Sequence, residues 1–144
     1  MIGVRATAIV GLATVGIFGP AGCSSSSGEK VDVELGDFSV TPKSSTKAAG
    51  EITFKVHNGG SFLHELVVFK VDKASDIPAK ASGEIDEDAV PESAHMGEVE
   101  DIAVGATETL KLKLDAGKYV LFCNRIDGTK AHFHEGMHVE FTVT

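Results

Sequence analysis

The sequence predicts an all-β protein, a Greek-key β sandwich of about seven to eight short strands. Three observations carry this. Apolar residues recur with a period of two in run after run, the mark of strands with one buried face. Gly, Asn and Asp punctuate the runs at Gly36, Asn58-Gly59-Gly60, Gly105 and Asp115-Ala116-Gly117. No segment shows a long helical period or an internal repeat.

The first strand alternates Val31, Val33 and Leu35 with Asp32 and Glu34. After Ala49-Gly50, Ile52, Phe54 and Val56 alternate with Thr53 and Lys55, which puts His57 out of phase and on the surface. Glu65 to Val71 is a denser apolar run, as a strand buried on both faces requires. Thr107 to Leu114 alternates Leu110, Leu112 and Leu114 with Lys111 and Lys113. Lys118 to Cys123 is a further strand, and Val139, Phe141 and Val143 mark the last. Asp115-Ala116-Gly117-Lys118-Tyr119 has the form of a tyrosine corner, in which the phenol bonds back to the chain and pins a Greek-key crossover. Between strands, residues 83–101 carry eight acids and no Lys or Arg, with Pro78 and Pro91 as breakers. This stretch is expected to be a solvated surface excursion with at most a helical turn, so that His95-Met96 is solvated too.

Length and charge narrow the function. A chain of 144 residues holds one domain. Its net charge of −8 argues against nucleic acid as a partner, since phosphate binding needs clustered Lys and Arg, and favours a basic one.

Residues 1–22 read as a signal peptide: one base, Arg5, then an uncharged apolar run from Ala6 to Phe18 and small residues ahead of Cys23. The run is short for a membrane span, which takes about 20 apolar residues. Ala21-Gly22-Cys23 resembles a bacterial lipobox, although Pro20 stands where that pattern carries a Leu-like residue. The resemblance implies cleavage before Cys23, a lipid anchor on its sulfur, and residence at the extracytoplasmic face of the cell envelope. Residues 23–30, with Ser24 to Ser27 and Gly28, form a flexible tether, and residues 31–144 form the folded domain. Cleavage removes one base and no acid, taking the net charge from −8 to −9. Lipidation of Cys23 would leave Cys123 as the only thiol, and an unpaired Cys in an exported protein calls for a role.

The residues suited to that role lie near the C-terminus. Cys123, His132, His134, Met137 and His138 fall within one strand–loop–strand, and His64 follows Asn58-Gly59-Gly60 far upstream. A thiolate, a thioether and two imidazoles make the donor set of a blue-copper electron-transfer site. A lone buried Cys would be read as core packing, but a neighbouring His and Met argue otherwise. His134 and His138 compete with His132 for the second imidazole position.

Here the chain resembles the cupredoxins, the type 1 copper fold of plastocyanin and azurin. The likeness rests on Phe38-Ser39-Val40 with Pro42, Ala49 to Phe54, Asn58-Gly59-Gly60 with His64-Glu65, Gly117 to Asn124, and His132 to Met137. The most specific part is C-x8-H-x4-M over Cys123, His132 and Met137. The resemblance implies one copper ion with His64, Cys123 and His132 as trigonal ligands and Met137 as the long axial one. Four residues between His and Met favour His132 over His134, and His138 is then a non-ligand close by. Phe133 is expected to turn inward or over the site. Glu65 departs from the family, where Asn commonly follows the first His and braces the Cys loop. The implied function is single-electron transfer between redox proteins by a monomer that catalyses no bond change. The alternative is envelope copper buffering or delivery, kept open by the His-rich end.

Overall fold

A computed structural model of the protein describes residues 28–144; the segment 1–22 expected to be a signal peptide, and Cys23, lie outside the described residues. The strands are β1 (Glu29–Gly36), β2 (Ser39–Pro42), β3 (Thr46–Lys47), β4 (Gly50–Asn58), β5 (His64–Phe69), β6 (His95–Ile102), β7 (Thr107–Leu114), β8 (Gly117–Phe122), β9 (Ile126–Asp127), β10 (Lys130–Ala131) and β11 (His138–Val143). One sheet runs β2-β1-β4-β7 and the other β3-β11-β8-β5-β6, with β9 and β10 as a small separate hairpin. The pairs β1–β4 and β3–β11 are parallel, and the other pairs are antiparallel. Eight strands of four or more residues thus build the sandwich that the period-two pattern predicts.

The alternating residues fill the space between the sheets. Val31, Val33, Leu35, Ile52, Phe54 and Val56 from one sheet meet Leu66, Val68, Tyr119, Leu121, Phe141 and Val143 from the other. Phe54 and Phe141 meet edge to face at 5.6 Å, a geometry worth about 0.5–1.5 kcal/mol beyond the area buried. Tyr119 Oη donates to the Asp115 carbonyl at 2.7 Å, the back-bond of a tyrosine corner.

Every residue of β5 is buried because its sheet is covered on both faces. On the outer face, Val67, Phe69, Val120 and Phe122 pack under Ile77 and Ile85, with Val90 and Phe133 beside them. The acidic stretch is therefore not a solvated excursion throughout. Three short 3-10 turns, at Ala74–Asp76, Glu87–Ala89 and Glu92–Ala94, lay the segment across the sheet. His95–Ile102 then forms the edge strand β6, paired with β5. Outward-facing acids on an edge strand discourage strand addition, so charge here marks an edge rather than a loop. His95 is half-buried, with its ring 4.9 Å from Phe69, instead of solvated.

Candidate metal centre

Three buried side chains converge at one end of the sandwich. Cys123 lies just past β8, His64 opens β5, and His132 sits in the loop after β10; their exposures are 0%, 0% and 1%. Pairing of β5 with β8 brings the first two together across the sequence. The Nδ1 atoms of His64 and His132 are 3.2 Å apart, and Cys123 Sγ lies 3.9 Å from the first and 3.5 Å from the second. A point equidistant from the corners of such a triangle lies about 2.1 Å from each. Ordinary distances for a metal such as zinc are about 2.0–2.1 Å to imidazole nitrogen and about 2.3 Å to thiolate sulfur. The three donors are thus spaced so that they could hold one metal ion among them.

Electrostatics agree with that fit. Burial pushes the Cys123 thiol up to about 11 and both imidazoles below their ordinary value, with the charge of His64 lowering His132 further. Three neutral donors are what burial alone permits, and a coordinated cation deprotonates the thiol outright.

Local structure fixes each donor. Asn58, fully buried, donates from Nδ2 to the carbonyls of Phe62 at 2.9 Å and Ile102 at 2.7 Å, and its Oδ1 accepts from Gly60 N–H at 3.0 Å. The loop that delivers His64 is thereby pinned. A Cβ at Gly60 would fall 2.7 Å from His64 Nε2, so no side chain fits there. The Asp37 carboxylate accepts from Ser61 N–H at 2.6 Å, which holds its pKa below the usual range, and its Oδ1 lies 3.6 Å from His64 Nε2. Opposite His64, the register of β5 and β6 shifts by one residue, with Asp101 at φ 51. Such a bulge re-aims a strand's side chains beside a site.

The C-terminal loop closes on itself. Cys123 N–H donates to the Met137 carbonyl at 3.1 Å, Met137 N–H to the His132 carbonyl at 2.9 Å, and His132 N–H to the Arg125 carbonyl at 2.8 Å. Met137 is fully buried in the same core cluster as Cys123. His134 is exposed, and His138 is half-buried with its ring 4.8 Å from Phe133. Phe133 does turn inward, but onto Phe122 at 5.4 Å on the far face of the sheet, and it does not cover the site.

Two features escaped the sequence. Glu65 braces the chain beside Cys123: its Oε1 accepts from Asn124 N–H at 2.9 Å. Burial raises its pKa to about 7. Phe38 and Phe62 flank the His132 ring at 5.4 and 6.0 Å. Phe38 does so from φ 62, a left-handed conformation uncommon outside glycine and costing about 1–2 kcal/mol.

No protein-family model matches the chain, and neither does any curated protein. Solved structures do. Auracyanin from the photosynthetic bacterium Roseiflexus castenholzii superposes with a TM-score of 0.62 at 22% identity, covering 80% of this chain and 96% of that one. Auracyanin B gives 0.60 at 17% identity over 81% and 88%. Rusticyanin from Thiobacillus ferrooxidans gives 0.53 at 18% identity over 82% and 79%. The strand order, the tyrosine corner and these superpositions converge on one architecture: residues 28–144 adopt the cupredoxin fold that auracyanin and rusticyanin share.

Proposed function

We propose that the protein is a type 1 copper protein that carries single electrons, with His64 Nδ1, Cys123 Sγ and His132 Nδ1 as the trigonal ligands and Met137 as the weak axial one. The observation that carries this reading is the buried triangle of donors, with sides of 3.2, 3.5 and 3.9 Å, in a cupredoxin fold. Rusticyanin is a copper protein, and reduced forms of both it and auracyanin have been determined. Copper bound here supplies a Cu(I)/Cu(II) couple. The chain's own part is to keep the donors close to one geometry in both states, so that little has to rearrange. Asn58, Glu65 and the Met137 backbone bonds do this. Half-buried Phe38 and Phe62 pack against the His132 ring and keep water from it, leaving their outer edges as apolar surface for a partner. Burial of all three donors disfavours the second reading, copper buffering or delivery, because exchange needs accessible ligands.

A redox partner with a basic surface fits a net charge of −9, and opposite charge speeds encounter. The test is an absorption spectrum of the Cu(II)-loaded chain, voltammetry, and transfer rates to a cationic redox protein. An intense visible band, a reversible one-electron wave and rates that fall with rising salt are expected. A colourless, readily lost Cu(I) would establish copper handling instead.

The proposed location is the extracytoplasmic face of the envelope, with a lipid on Cys23 as the anchor; Ala21-Gly22-Cys23 after the apolar run supports it. Wild type should enter the detergent phase on partitioning and Cys23→Ser should not. Equal partitioning of both would rule out the lipid.

A further inference from the structure

We propose that Glu87, His95 and Glu98 form a second metal site, across the sheet from the first, that takes one borderline first-row divalent cation such as Zn2+. One donor atom from each residue lies within 4.8 Å of the others. His95 Nε2 is buried without a hydrogen-bond partner and lies 3.8 Å from Glu98 Oε2. A buried ring nitrogen that bonds to nothing calls for an explanation, and a cation held between it and the two carboxylates supplies one.

Three unrelated parts of the fold hold these donors. Packing against Phe69 fixes the His95 ring, and His95 pairs with Phe69 in the β5–β6 register. Glu98 follows on β6, opposite Val67. Glu87 opens a 3-10 turn in the covering segment, and Asn124 Nδ2 donates to its Oε1 at 2.8 Å, leaving Oε2 free. A cavity of about 400 Å3 lined by Glu87, Asp88, Val90, Glu92 and His95 gives access. The side chains of His95 and Glu98 are 30% and 34% exposed while Nε2 itself is buried, so the donors lie just under the surface.

The charge balance favours a cation. Residues 83–101 contain no Lys or Arg. Two bases paired with acids of this stretch are held away from the three donors, Lys80 by Glu84 at 2.9 Å and Arg125 by Asp101 at 2.7 Å. One imidazole with two carboxylates suits zinc-like ions better than calcium or magnesium, which prefer oxygen alone.

The test loads the full chain with one equivalent of Cu(II) and titrates it with Zn2+ by calorimetry while the visible band is followed. One equivalent of Zn2+ should bind with the band intact. His95→Ala and Glu98→Gln should each weaken that binding about 10-fold or more, again with the band intact. Glu98→Gln is nearly isosteric and half-exposed, so it also serves if His95→Ala does not fold. No Zn2+ binding beside an intact band overturns the site, as does unchanged affinity in both variants. Zn2+ that bleaches the band has displaced the first ion, which overturns it too. Zn2+ binding lost in His95→Ala by a chain that never turns blue would uphold this site and reject the copper reading.

Discussion

Cys123→Ser should abolish the thiolate-to-copper absorption completely while the sandwich still folds. The band is a transition from sulfur to the metal, so it cannot survive loss of the sulfur whatever else binds. Serine is nearly isosteric but offers a hard hydroxyl, a poor partner for a soft site. Cys123 is fully buried, with its sulfur 3.9 and 3.5 Å from the two Nδ1 atoms. Leaving a hydroxyl there with an imperfect partner costs about 1–3 kcal/mol, against a usual stability of about 5–15 kcal/mol. A thermal melt of the metal-free variant should therefore remain cooperative with a lowered Tm. A blue Cys123→Ser protein would overturn the assignment of the site.

His132→Ala and His134→Ala should differ sharply. His132 is 1% exposed, with Nδ1 3.5 Å from the Cys123 sulfur; His134 is exposed. Removing the His132 ring takes away one donor and leaves a void between Phe38, Phe62 and His64, which flank it at 5.4, 6.0 and 5.0 Å. Water can then take the vacated position, and the blue spectrum should be lost or strongly shifted. Added imidazole should restore it, because the void matches what was removed. His134→Ala should keep the wild-type spectrum. The reverse pattern would mean that the loop binds metal in another register.

The fold was legible wherever burial is one-sided. In β1, β4, β7 and β11, alternation alone identifies the strand and its inner face. It failed for β6, where Gly97 interrupts the pattern and acids hold the exposed positions, so that an edge strand reads as a loop. That His64, Cys123 and His132 would lie together was legible because the donor set expected of a metal site uses rare residue types at restricted spacing. The support around them was not. Glu65 reads as an odd residue until β5 and the chain after β8 are set side by side, since its partner is 59 residues away. Phe38 reaches His132 only through a left-handed turn that nothing in its neighbours announces. The side on which Phe133 packs depends on how the loop after β10 folds back, which period-two reasoning does not address.

The parallel pairing of β11 with β3 sets when the centre can exist. Thr142 and Val143 must find Thr46 and Lys47, nearly a hundred residues earlier, before the second sheet is complete. Cys123 is tied to Met137 at the threshold of that same strand. Contacts this distant in sequence place folding among the slower topologies, milliseconds to seconds rather than microseconds. A chain still emerging, or cut short before 138, therefore carries the thiol but not the cage. If copper binds as proposed, its capture belongs to the finished molecule, and the binding free energy adds to that of the fold.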